Sequence, residues 1–213
     1  MPPSPFPDDV AFELARSAEL DGFTLFAQEE AALSPLAVAK RRREFALGRL
    51  AARRAMQRLS GRELALPRAD DGRPLWPSGW VGSITHTDEV AIAAVAPAGA
   101  YRGIGIDLER RARPLKTDIT GRVCTAAERT WLAAREPAHL LRLFAAKEVV
   151  FKTLYPLERV YLDFHDAELT WREEEGAFRA VLNKAAAAAF PVGAELRVGV
   201  RDMEEFVLAF AWV

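Results

Sequence analysis

The sequence predicts an α+β protein built mainly from antiparallel sheets. Strand-like and helical runs alternate irregularly along its 213 residues, without the steady strand–helix–strand repeat of a doubly wound fold. Short turn signals separate neighbouring strand-like runs: Pro97-Ala98-Gly99 between 88–96 and 103–109, and Gly176 between 166–172 and 177–182. Half of the residues are apolar and 28% are charged, a balance that supports a packed core.

Taken in order, the prolines at 2, 3, 5 and 7 keep the first residues extended. Residues 23–27, Phe-Thr-Leu-Phe-Ala, read as a short strand. Ser34-Pro35 opens a helix that reaches Leu59 and is stopped by Gly61. Asp70-Asp71-Gly72-Arg73-Pro74 is a turn by composition. Beyond the strands at 88–96 and 103–109, helical patterns cover 125–135 and 138–155, the second closing at Pro156. The tail reads as strands at 166–172 and 177–182, an alanine-rich helix near 184–190, and strands at 195–201 and 205–212. No internal repeat or low-complexity linker stands out.

Charge narrows the function classes. Lysine and arginine total 29 against 30 acids, so no global basic field exists to hold nucleic acid, and anion binding must come from local clusters. Cys124 is the only cysteine, which excludes an intrachain disulfide and leaves a metal site to oxygen or histidine ligands. There is no basic leader with an apolar core, and no run of about 18 apolar residues. A soluble, cytoplasmic protein with no membrane partner is expected.

Four segments carry chemistry. In Gly103-Ile104-Gly105-Ile106-Asp107-Leu108-Glu109, strand alternation puts Ile104, Ile106 and Leu108 on one face and Gly105, Asp107 and Glu109 on the other. Carboxylates about 7 Å apart along a strand repel unless a cation lies between them, and hard oxygen ligands suit Mg²⁺. The plainer alternative is a solvated acidic turn beside Arg110 and Arg111. In the helix Leu140–Lys152, Glu148 falls about 40° from Phe144, inside an apolar stripe, where a carboxylate needs a metal or a basic neighbour. Lys147 and Lys152 flank it. The alternative is an ordinary surface pair of Glu148 with Lys152.

In the helix Lys40–Leu59, Arg49 lies about 40° from Phe45 in the apolar stripe, with Arg42 and Arg53 near its edge. An arginine there calls for a buried anion, and guanidinium forks suit phosphate; a charge run is otherwise a solvated face. Finally, Gly82-Ser83-Ile84-Thr85-His86 offers small hydroxyls and a histidine at a strand entry, a setting that can bind phosphate. A lone histidine is otherwise structural, the reading kept for His139 and His165.

Together these segments resemble the 4′-phosphopantetheinyl transferases of the surfactin-synthetase and enterobactin-synthetase type, nearest to the shorter enterobactin-like bacterial branch. Four blocks match in order: Arg41-Arg42-Arg43-Glu44-Phe45 with Gly48-Arg49 and Ala52-Arg53; Arg73-Pro74-Leu75-Trp76-Pro77 with Gly82–His86; Gly103–Glu109; and Phe144–Lys152.

The resemblance implies two similar halves, 1–102 and 103–213, related by pseudo-twofold symmetry, with a ligand cleft between them. The first half would take the 3′-phosphate and adenosine end of coenzyme A, and the second the metal and the chemistry. It further implies that Asp107, Glu109 and Glu148 hold Mg²⁺, with Mn²⁺ as an alternative ion, and that Asp107 thereby contacts the substrate. Lys147, Lys152 and His86 would contact phosphates, Thr85 would help bind coenzyme A, and Arg41, Arg49, Arg73 and Pro74 would grip the 3′-phosphate and adenosine. Glu148, Lys152 and His86 are the expected catalytic set, Glu148 being the candidate base. Thr85 stands where many members have serine, and Arg42 and Arg53 do not map onto the pattern. The implied reaction transfers phosphopantetheine from coenzyme A to a serine of an apo acyl or peptidyl carrier protein, in a monomeric enzyme. The rival readings are a metal-dependent nuclease, disfavoured by the balanced charge, and a non-catalytic coenzyme A-binding protein.

Overall fold

The computed structural model describes residues 3–34, 36–112 and 119–213. Pro2 and Pro35, which entered the expectations for the N-terminus and the first long helix, lie outside the described residues. The chain forms two compact units, 1–102 and 103–213. Each is an antiparallel sheet packed on one long helix, so the α+β expectation is met.

In the N-terminal unit, strands β1 (Ala11–Arg16), β2 (Trp80–His86) and β3 (Val90–Pro97) order as β1-β3-β2. The unbroken apolar run of β3 fits its central place, where it is buried almost from end to end. A short helix α1 (Ala27–Glu30) precedes the long helix α2 (Ala39–Ser60), which packs on all three strands. Leu47, Ala51, Ala55 and Met56 form its buried stripe. Small residues let the helix approach the sheet: a Cβ on Gly48 would stand 3.1 Å from Ile84 Cγ2. Gly61, at φ 70°, ends α2 with its N–H on the Gln57 carbonyl.

Two expectations fail here. Residues 23–26 have no regular structure and Ala27 opens α1, because Phe23 and Phe26 are placed by a side chain rather than by a ladder. Their rings lie 4.5 and 4.0 Å from the Arg53 guanidinium. The helix begins at Ala39, after the Ser34 signal, and β1 and β2 were not assigned from sequence.

The C-terminal unit holds β4 (Ile104–Arg110), helices α3 (Ile119–Val123), α4 (Ala126–Ala133) and α5 (Ala138–Glu158), then β5 (Ala167–Arg172), β6 (Ala177–Leu182), β7 (Glu195–Asp202) and β8 (Phe206–Trp212). The strand order is β4-β8-β7-β6-β5, antiparallel throughout, with α5 across β4, β8 and β7. Gly176, at φ 55°, sits in the β5–β6 connection as expected. Pro156 does not close α5. It lies in the last turn, where its missing N–H costs one bond, and Arg159 in the left-handed region closes the helix by bonding the Tyr155 carbonyl. The alanine-rich stretch at 184–190 is no helix: Ala186 and Phe190 are buried in the core, Ala187 and Phe190 form a tight bridge, and the Ala186 N–H donates to the Phe190 carbonyl, so tertiary burial overrides alanine's helix preference.

Candidate active site

On β4, Asp107 and Glu109 share the face of Gly105, and that face meets α5. A Cβ on Gly105 would stand 2.6 Å from the Val149 carbonyl, so only glycine lets strand and helix approach this closely. The closeness brings Lys152 of α5 onto Asp107, its Nζ 2.6 Å from Oδ1 and 3.2 Å from the Ile106 carbonyl. Asp107 is buried, while the Lys152 side chain keeps 28% exposure. Burial alone would lower the Lys152 pKa, but Asp107, Glu148 and Glu109 together hold it above the usual lysine value. The carboxylate repulsion inferred from sequence is therefore relieved by an ammonium. Burial raises the Glu148 pKa, Lys152 pulls it down, and Asp107 adds to the rise. A cavity of about 280 Å³ opens beside Glu148, with Val150, Phe151, Tyr161, Leu162 and Phe164 in its wall.

The acids fit Mg²⁺ by donor chemistry, and Lys152 marks where a cation is favoured among them. No three metal-capable side chains among the described residues form a ready-made cage.

Lys147 is turned the other way. Its side chain is 1% exposed, and its ammonium donates to the carbonyls of Phe164 and Ala167, each at 2.6 Å, while pairing with Glu128 at 2.9 Å. Burial lowers its pKa, against the upward pull of Glu128. All three ammonium hydrogens are committed, so the phosphate contact expected of Lys147 is corrected to a core role. Glu128 is the third residue of α4 and also accepts from the N–H groups of Thr125 and Leu169. The sequence gives it the form of a capping box, Thr-x-x-Glu, but the pairing with Lys147 joins parts too distant in sequence to read.

In the N-terminal unit, Arg49 is buried, with its guanidinium 4.0 Å over the Phe45 ring. Nε donates to the Leu66 carbonyl at 2.6 Å and Nη2 reaches the Pro67 carbonyl at 3.5 Å. Burial lowers its pKa to about 10; Glu29 pulls it up, and Arg68 and Arg41 push it further down. It stays charged at neutral pH. Arg41, Arg49 and Arg68 are thus like charges near enough to disfavour one another. Arg68 was missed from sequence because it sits outside the helix, where the Pro67–Leu75 turn returns it towards Arg49. Gly72, at φ 93°, shapes that turn beneath Arg68. Arg73 is held by Asp71 at 3.1 Å, and Pro74 bridges to Arg68. Arg41 is exposed, near Glu44.

Thr85 and His86 are adjacent on β2 and so point to opposite faces. Thr85 and Ser83 are buried on one side; His86 is exposed on the α2 side that Ile84 shares. Their side chains therefore serve different faces of the sheet. Arg42 and Arg53, left without roles by the sequence, tie α2 to α1 through Glu30 and Glu29.

A family model described as 4'-phosphopantetheinyl transferase N-terminal domain matches residues 28–96, and one described as 4'-phosphopantetheinyl transferase superfamily matches residues 103–211. The chain is 44% identical over 167 residues to 4'-phosphopantetheinyl transferase Svp of Streptomyces mobaraensis, covering 76% of this chain and 68% of that protein. It is 41% identical over 142 residues to 4'-phosphopantetheinyl transferase Npt of Nocardia iowensis, covering 66% and 64%. Enterobactin synthase component D of Salmonella typhi is 34% identical over 137 residues, covering 62% and 55%.

Proposed function

Because the chain belongs to the 4′-phosphopantetheinyl transferase superfamily, we propose that it moves the phosphopantetheine arm of coenzyme A onto a serine of an apo acyl or peptidyl carrier protein. The observation that carries this is the set of three acids around Lys152 on β4 and α5. Simple binding of coenzyme A needs no such acids beside a pyrophosphate, and a nuclease reading has no support among the relatives.

In the proposed reaction, the carrier serine oxygen bonds to the β-phosphorus while the bond to 3′,5′-ADP breaks. Glu148 takes the serine proton, directly or through a water. Its raised pKa suits a base working near neutral pH. Asp107, Glu109 and Glu148 would hold Mg²⁺, which when bound offsets charge on the pyrophosphate. Lys152, already at the acids, supplies a positive charge to the phosphate oxygens. The cavity beside Glu148, walled by Phe151, Leu162 and Phe164 as well as by Arg122 and Asp163, suits the pantetheine arm, which is apolar in part and carries amides. In the N-terminal unit, Arg41, Arg49 and Arg68 take the 3′-phosphate, with the Arg73–Pro74 turn beside them. His86, on the α2 side of β2, is assigned to phosphate contact.

Transfer from coenzyme A and from 3′-dephospho-coenzyme A onto an apo-carrier tests this reading. Wild-type protein should transfer from coenzyme A. Arg49→Ala should raise KM for coenzyme A roughly 10- to 100-fold, the worth of a charge-assisted contact, and change KM for the dephospho form much less. Failure of the wild type to transfer contradicts the function; equal losses for both donors remove Arg49 from the 3′-phosphate site.

A further inference from the structure

Glu29 is a fully buried acid that neither the sequence pattern nor the proposed chemistry uses. Both of its oxygens are engaged. Oε2 accepts from Arg53 Nη2 at 2.6 Å and from the Phe26 N–H at 2.9 Å, and Oε1 accepts from the Leu66 N–H at 2.9 Å. Arg53 also donates to the Thr24 carbonyl at 3.1 Å and lies against the rings of Phe23 and Phe26. Its Nε is left buried without a hydrogen-bond partner, a cost the fold accepts to keep the guanidinium on Glu29.

The C-terminal unit contains the same device. Glu128, likewise the third residue of a short capped helix, joins its own cap, the N–H of Leu169 and the Lys147 ammonium of the long helix. In each unit a buried glutamate locks the long helix to an extended segment. In the N-terminal unit that segment is Leu66–Arg68, and Leu66 is held from both sides: its N–H by Glu29 and its carbonyl by Arg49. Arg49 and Arg53 are one helical turn apart, so the two bonds clamp one residue against adjacent turns of α2. Arg68 follows two residues later.

We propose that Glu29 is a positioning residue for the anion site of the N-terminal unit: by fixing Leu66 against Arg53 it sets the spacing of Arg49 and Arg68, and through that spacing the grip on a nucleotide 3′-phosphate. The inference rests on the proposed assignment of Arg49 and Arg68 to that phosphate. It makes a prediction opposite in sign to bare electrostatics. Removing a negative charge beside Arg49 should tighten anion binding if Glu29 acts only through its field. Loss of the clamp should weaken it. A purely structural role would lower the unfolding temperature and leave the affinity of the folded protein alone.

The experiment measures calorimetric Kd values for 3′,5′-ADP and for 5′-AMP on the full chain, wild type, Glu29→Gln and Arg53→Lys, well below each unfolding midpoint. Wild type should prefer 3′,5′-ADP. In Glu29→Gln that preference should fall roughly 10-fold, about one charge-assisted hydrogen bond's worth, with 5′-AMP little changed. Arg53→Lys keeps the charge but loses the fork, so its loss should be intermediate. Unchanged or tighter 3′,5′-ADP binding by folded Glu29→Gln overturns the proposal. Should that variant not fold, an unchanged preference in Arg53→Lys overturns it. A wild type with no preference for 3′,5′-ADP refutes the anion-site assignment itself, which is a separate failure.

Discussion

Glu148→Gln lowers the transfer rate by about 10²–10⁴-fold, the usual worth of a general base, while coenzyme A still binds. Glutamine keeps the shape of the side chain but accepts no proton and brings no charge to a metal. If Glu148 serves chiefly as a ligand, excess Mg²⁺ or Mn²⁺ should restore much of the rate by mass action; if chiefly as the base, it should not. The same variant should unfold at a higher temperature than wild type at neutral pH with metal chelated. The sign follows from the raised pKa. A carboxyl whose pKa is raised on folding contributes stability below its unfolded pKa, and that contribution is lost as pH rises through the folded value. Glutamine copies the neutral form, so its advantage should shrink on acidification. Wild-type turnover in the variant would return Glu148 to an ordinary place on the helix.

Asp107→Ala lowers transfer by about 10²–10⁴-fold, since it removes charge stabilisation worth several kcal/mol. It should also destabilise the protein, contrary to what two repelling acids would suggest. Lys152 already pairs with Asp107, its Nζ 2.6 Å from Oδ1, so the substitution strips a partner from a partly buried ammonium. The loss should be about 1–3 kcal/mol, below the usual 3–5 for a broken buried pair, because the Lys152 side chain is 28% exposed and Glu148 and Glu109 remain near it. Unfolding by denaturant measures it, and an unchanged midpoint would show that the pair contributes nothing.

How much of this was legible in the sequence depended on whether the signal was local. The alternation in Gly103–Glu109 put Asp107 and Glu109 on one face, and that reading holds; the stripe of Leu140, Phe144 and Phe151 that carries Glu148 is only half-buried, and the fully buried face of α5 runs instead through Leu143, Lys147, Val150 and Leu154. The β5–β6 hairpin at Gly176 is equally local. What escaped was long-range. Lys147 and Lys152 look alike as lysines flanking Glu148, yet one is drawn inward by Glu128, 19 positions earlier, and the other outward to Asp107 on β4. Arg68 joins Arg49 only because a turn bonds Leu75 back to Pro67. The alanines at 185–189 favour a helix by propensity, but the core takes Ala186, and Ala187 pairs with the buried Phe190 in a bridge instead. The described part of the chain has no helix long and apolar enough to cross a membrane.

The most direct measurement is the intact mass of an apo-carrier protein after incubation with this protein, coenzyme A and Mg²⁺. The account predicts that the carrier gains the mass of one phosphopantetheine group, that 3′,5′-ADP appears in equal amount, and that a carrier with alanine in place of its acceptor serine gains nothing. A carrier of unchanged mass across a panel of acyl and peptidyl carriers, with coenzyme A left intact, would contradict it.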